Sequence, residues 1–71
     1  MAEPALAIDI GGTKVAVGLV GGDGRLGHHA QLPTPSGDTE AIWAVVDSLV
    51  TEALAAAGGH VRGVGIASAG P

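Results

Sequence analysis

Asp9-Ile10-Gly11-Gly12-Thr13-Lys14 lies between two apolar runs, Ala5-Leu6-Ala7-Ile8 before it and Val15-Ala16-Val17-Gly18-Leu19-Val20 after it. Runs this short, rich in Val and Ile, read as buried strands. The hexapeptide is therefore a tight connection between strands, with a carboxylate at the end of the first. Adjacent glycines let backbone N–H groups approach an anion without interference from a Cβ. Thr13 adds a hydroxyl donor and Lys14 a positive charge. Together these are the groups needed to hold a nucleotide phosphate, with Asp9 placed to reach a metal ion or its water shell. The competing reading is a glycine-rich turn with no ligand. Asp before the glycines, Thr-Lys after them and strands on both sides favour phosphate binding.

The rest of the chain extends an α/β pattern outward from this turn. Gly18 marks a bulge or close contact within the second strand. Gly21-Gly22-Asp23-Gly24 is a hairpin signal, since Gly and Asp-Gly supply positive φ cheaply. Arg25 to Leu32 reads as a third strand, so the first three strands form an antiparallel meander. Pro33-Thr34-Pro35-Ser36-Gly37 reads as a loop. Asp38 is the expected N-cap of a helix, with Glu40 favourable in its first turn. Ile42, Val45, Val46, Leu49, Ala53 and Leu54 recur at helical spacing on one face. Gly58-Gly59 ends that helix. Val61 to Ala67 reads as a fourth strand parallel to the first, because a helix is the usual crossover between parallel strands.

Composition narrows the function classes. The chain has 71 residues, no Cys, one aromatic residue (Trp43), 13 Gly and a formal net charge of −4. Its basic residues, Lys14, Arg25 and Arg62, are scattered and give no patch for nucleic acid or anionic lipid. No apolar run approaches the ~18 residues of a membrane span. Met1-Ala2-Glu3-Pro4 lacks the features of a secretory signal, so a cytoplasmic protein is expected. The apolar residues are mostly Ala and Val, which bury little area each and make a thin core. Stopping at Ala69-Gly70-Pro71, just after a buried strand, is expected of a segment of a longer protein. Residues 1–71 are read as one such segment, with no second domain inside them.

A phosphate loop in a hairpin, with a strand and not a helix after it, is not a Walker A loop. It resembles the first phosphate loop of the actin-like ATPase and sugar-kinase superfamily, whose domains have a ribonuclease H-like fold. Within it, Asp9-Ile10-Gly11-Gly12-Thr13-Lys14 resembles the ROK family of sugar kinases and related repressors. The end of the chain, Gly63-Val64-Gly65-Ile66-Ala67-Ser68-Ala69-Gly70-Pro71, resembles that family's Gly-x-Gly-x-x-x-Gly-Pro stretch, which lines the sugar cleft. The resemblance covers nearly the whole chain. It implies the N-terminal part of the N-terminal lobe of a kinase that transfers the γ-phosphoryl of ATP to a sugar hydroxyl, with glucose the first expected substrate. Gly11, Gly12, Thr13 and Lys14 would hold the ATP phosphates, and Asp9 would serve Mg²⁺. Gly70 and Ser68 would lie on the sugar side, against the alternative of a plain turn leaving the sheet. The partners implied are ATP and a sugar, with neither nucleic acid nor membrane, and the parent would form a dimer or tetramer.

Several family features are missing from these residues. The general base is an Asp in a downstream Asn-Asp pair, and this chain has no Asn. No catalytic base is therefore expected within it, and the segment alone should be inactive. The Cys-rich zinc site of many members also lies downstream, so zinc is possible in the parent but has no ligands here. His28 and His29 are strand neighbours that point to opposite faces, which disfavours shared chelation. His60 reads as a solvated residue after the helix. Gly22-Asp23-Gly24-Arg25-Leu26-Gly27 matches Gly-x-Gly-x-x-Gly but lies between strands, so it is not read as a dinucleotide site. Two other functions remain open. One is a sugar-responsive ROK-type repressor, although only eight residues precede Asp9, where such proteins carry a DNA-binding segment. The other is a small phosphate-binding module without catalysis.

Overall fold

Alternation of large and small side chains along two neighbouring strands sets the architecture. The computed structural model describes residues 3–68, so the sugar-side assignment of Gly70 lies outside the described residues. Strand β1 (Ala5–Ile10) pairs antiparallel with β2 (Lys14–Val20), which pairs antiparallel with β3 (Leu26–Pro33). Helix α1 (Thr39–Ala56) carries the chain back to β4 (Gly63–Ser68), which lies parallel to β1. The sheet order is β3-β2-β1-β4. This is the meander, helix and parallel fourth strand expected from the sequence.

Odd and even positions separate cleanly in β1 and β2. Leu6 and Ile8 of β1 and Val15, Val17 and Leu19 of β2 are buried against Val46, Leu49 and Ala53 of α1. Ala7, Asp9, Ala16 and Gly18 take the opposite face, where no described element covers the sheet. Helix α1 packs over β2 and β3 and leaves β4 aside. Val64 and Ile66 are paired with Leu6 and Ile8, so they share the core face. They are nevertheless 58% and 64% exposed, because the helix does not reach them.

Each connection carries its own stop signal. Asp38 caps α1, its Oδ1 accepting from the Ala41 N–H at 3.0 Å. At the other end Gly58 takes φ +74°, and the Gly59 N–H donates to the Leu54 carbonyl at 2.8 Å. That is a Schellman-type stop, which needs a residue free to adopt left-handed backbone. In the β2–β3 hairpin Gly24 takes φ +82°, and Asp23 Oδ1 accepts from the Arg25 N–H at 3.0 Å. The expected irregularity at Gly18 is present as a register shift between Gly18 and Val20. A Cβ at Gly18 would lie 2.7 Å from Leu26 Cδ1 and 3.3 Å from the His28 carbonyl, so the bulge and the close approach occur together.

Strand bounds differ from the sequence reading by one or two residues: β2 begins at Lys14, not Val15, β3 begins at Leu26, not Arg25, and β4 ends at Ser68, not Ala67. β4 begins at Gly63, not Val61. Val61 instead packs against the core, and the Arg62 N–H donates to the Pro4 carbonyl at 2.9 Å. β3 runs one residue further, through Pro33, whose Cα pairs with that of Lys14.

Candidate functional site

The β1–β2 turn holds the candidate phosphate loop at one end of the sheet. The Gly11 N–H donates to the Lys14 carbonyl at 2.9 Å and closes the turn around Gly12 and Thr13. Neither glycine has positive φ. Conformational freedom therefore does not explain them, and their surroundings differ. A Cβ on Gly11 would sit 3.1 Å from the Lys14 carbonyl oxygen, so the turn itself restricts that position. A Cβ on Gly12 would meet nothing within 4 Å. Gly12, Thr13 and Lys14 are all exposed. Among the described residues the Gly12 and Thr13 N–H groups have no acceptor. Exposed donors beside an open glycine surface suit an anion, and Lys14 supplies the charge.

Strand alternation decides which side chains share this end of the sheet. Asp9 pairs with Ala16, and Lys14 lies two residues before Ala16, so Asp9 and Lys14 are on one face. Ala67 of β4 also pairs with Asp9. This is the uncovered face, where Ala7, Ala16, Gly18, Leu26, His29 and Gly65 line a trough of about 550 Å³. The trough is overwhelmingly apolar, with Asp9 its sole carboxylate. Ser68 pairs with Ile10 and so takes the opposite, α1-side face. Its backbone is beside the loop, while its side chain is on the other side of the sheet from Asp9.

His28 and His29 point to opposite faces, as strand neighbours should. His29 lines the trough beside Gly18, whereas His28 lines a smaller one with Leu19, Ala56 and Ala57. His28 Nε2 is buried and has no hydrogen-bond partner among the described residues. Among the described residues no group of three or more His, Cys, Asp or Glu side chains could hold a metal ion. No described helix is long and apolar enough to cross a membrane.

One residue at the loop was not singled out by the sequence. Thr34 Oγ1 donates to the Gly11 carbonyl at 2.8 Å, and the Thr34 N–H donates to the Thr13 carbonyl at 3.0 Å. Thr34 reads from sequence only as part of a proline-rich bend. The available signal is the pair of flanking prolines, which leave Thr34 as the sole N–H donor of residues 33–35.

Comparison with known proteins gives a consistent picture. The model of the ROK family matches residues 5–71. N-acetylmannosamine kinase of Escherichia coli K12 is 46% identical over 66 residues, covering 92% of this chain and 21% of that protein. The crystal structure of a ROK family glucokinase from Streptomyces griseus, in complex with glucose and AMPPNP, superposes with a TM-score of 0.80. It is 36% identical, over 94% of this chain and 20% of its own. A ROK hexokinase from Thermus thermophilus also gives a TM-score of 0.80, at 29% identity, over 96% of this chain and 23% of its own. The chain thus spans about a fifth of the length of the relatives it matches.

Proposed function

Since the chain belongs to the ROK family, we propose that it is the N-terminal part of the first lobe of an ATP-dependent sugar kinase. The observation that carries this reading is the Asp9–Lys14 turn. Free Gly12 and Thr13 N–H groups, an open Gly12 surface and the Lys14 ammonium lie together at one end of the sheet, with Asp9 on the same face as Lys14. Gly11, Gly12, Thr13 and Lys14 hold the ATP phosphates, where N–H dipoles and an ammonium neutralise charge on the transferring group. Asp9 is a hard oxygen ligand of the type Mg²⁺ accepts, directly or through water. Mg²⁺, when bound, would supply charge neutralisation on the phosphate oxygens.

Two hexoses come first as acceptors. Glucose is what the family resemblance implies, and N-acetylmannosamine is named by relatives at 46% identity. Gly70, with the backbone at Ser68, is assigned to the sugar side. The general base lies beyond these residues, so the 71-residue segment alone does not phosphorylate sugar. The parent is an oligomeric cytoplasmic enzyme of carbohydrate phosphorylation.

The test is sugar-dependent ATP turnover by the full-length protein and by its Asp9→Asn variant, with each hexose in turn. The wild-type protein should phosphorylate at least one of them. Asp9→Asn should lose about 100-fold or more in kcat, as expected when a metal-serving carboxylate becomes neutral. Undiminished turnover in the variant would sink the assignment of Asp9, and absence of turnover with any sugar would sink the kinase reading.

A further inference from the structure

We infer that Thr34 is a positioning residue of the phosphate loop: its hydroxyl and its backbone N–H hold the Gly11–Gly12 and Thr13–Lys14 peptide units, and the first of these bonds turns the Gly12 N–H toward the anion. The inference rests on the kinase reading of the loop. Its physical basis is the planarity of the peptide unit. In a trans peptide the C=O of one residue and the N–H of the next point in opposite directions. Thr34 Oγ1 holds the Gly11 carbonyl at 2.8 Å, so the Gly12 N–H points away from Thr34. The Thr34 N–H holds the Thr13 carbonyl at 3.0 Å, so the Lys14 N–H likewise points away from it. Two donors are thus directed by one residue 23 positions from Gly11.

The same bonds remove two unfavourable groups. A carbonyl oxygen turned toward a phosphate repels it, and both carbonyls are tied back against the bend that follows β3. In an ordinary two-residue hairpin the Gly11 carbonyl would accept from the Lys14 N–H. Here the Thr34 hydroxyl donates to the Gly11 carbonyl instead, and no Lys14-to-Gly11 bond is present among the described residues.

Thr34 is itself held in place. Pro33 is anchored opposite Lys14 at the end of β3. Pro35 restricts Thr34 to extended backbone, and both prolines lack an N–H. A β-branched side chain has few χ1 states to lose, so the hydroxyl is presented to Gly11 at low entropic cost. The loop is therefore preorganised by hydrogen bonds from the bend that follows β3.

Three variants of the full-length protein separate this from packing. Thr34→Val keeps the volume and branching but deletes the hydroxyl. Thr34→Ser keeps the hydroxyl but deletes the methyl. Thr34→Ala also lacks the hydroxyl and serves if the Val variant proves unstable. The readouts are Mg-AMPPNP affinity by calorimetry, sugar affinity, melting temperature and amide exchange at Gly11. Thr34→Val should weaken AMPPNP about three- to tenfold, the range of one lost hydrogen bond, with sugar affinity unchanged. Exchange of the Gly11 N–H should accelerate by a similar factor. Thr34→Ser should stay within about twofold of wild type in both. A packing role predicts the reverse order, with Val harmless and Ser impaired, and that result would overturn the inference. If the wild-type protein binds no AMPPNP, the kinase reading falls and the Gly11 exchange decides the tether. Faster exchange in Thr34→Val then sustains it, and unchanged exchange overturns it.

Discussion

Val17 and Val64 offer the same chemical deletion in opposite surroundings. Val17 lies on β2, is 0% exposed and pairs with Ile8 and Ala30. Val64 lies on β4, faces the same side of the sheet and is 58% exposed. Truncation to Ala removes two methyl groups at each site. At Val17 the lost transfer free energy is roughly 1.6 kcal/mol, from about 0.8 kcal/mol per buried carbon. A residual cavity of roughly 50 Å³ adds about 1 kcal/mol. Val17→Ala should therefore cost about 2–3 kcal/mol, and Val64→Ala well under 1 kcal/mol. Small domains have roughly 5–15 kcal/mol in all, so a loss of this size is a large share of such a stability. Urea unfolding followed by far-UV circular dichroism reads the difference through α1. Trp43, though the only aromatic residue, is 55% exposed and would change its emission less on unfolding than a buried indole. A Val17→Ala loss below about 0.5 kcal/mol would refute the core assignment, because that is the range of ordinary surface substitutions. Equal losses at the two sites would mean that the outer part of the sheet is covered in the protein in solution.

Gly12→Ala should leave the unfolding midpoint unchanged or slightly raised, since φ is not positive and a Cβ there meets nothing within 4 Å. It should still weaken Mg-ATP binding about tenfold or more in the full-length protein, because the added methyl occupies the surface a phosphate would approach. A variant that binds ATP like wild type would remove Gly12 from the site. Asp38→Ala should cost about 1 kcal/mol in the same urea assay through loss of the cap on the Ala41 N–H, and Asp38→Asn only a few tenths. Equal losses for the two would point to charge, not the hydrogen bond, as what Asp38 contributes to α1.

The readings that succeeded from sequence depend on residues close together in the chain. Asp38 and Gly58-Gly59 delimit α1 because helix caps are local hydrogen-bond problems with few side-chain solutions. What the sequence did not reveal is set between elements. Nothing in the helical stripe of α1 states that it will lie over β2 and β3 and leave Val64 and Ile66 bare. Both residues look like core in a strand pattern, and only the placement of the helix exposes them. The start of β4 differs because Val61 is apolar like a strand residue, yet it packs half-buried against the core and its neighbour Arg62 bonds to Pro4 before the ladder begins.

The phosphate loop shows the same division at the scale of single residues. Gly11 and Gly12 look equivalent in sequence, and a turn requiring positive φ would explain both. The structure removes that explanation and separates them. Gly11 has the Lys14 carbonyl 3.1 Å from where its Cβ would be, so the turn itself favours glycine there. Gly12 faces open space, and folding gives no reason for a glycine there. A residue type that the fold does not require, beside free N–H donors and a lysine, is accounted for by something outside the fold that must come close. Thr34 completes the case from the opposite direction. Its hydroxyl serves a carbonyl that the turn could have satisfied through Lys14, and the consequence is that the Lys14 N–H makes no bond to Gly11 among the described residues. A turn selected only for stability would have closed both of its hydrogen bonds. This one leaves donors open at the exposed end of the sheet, which is the arrangement an anion site requires.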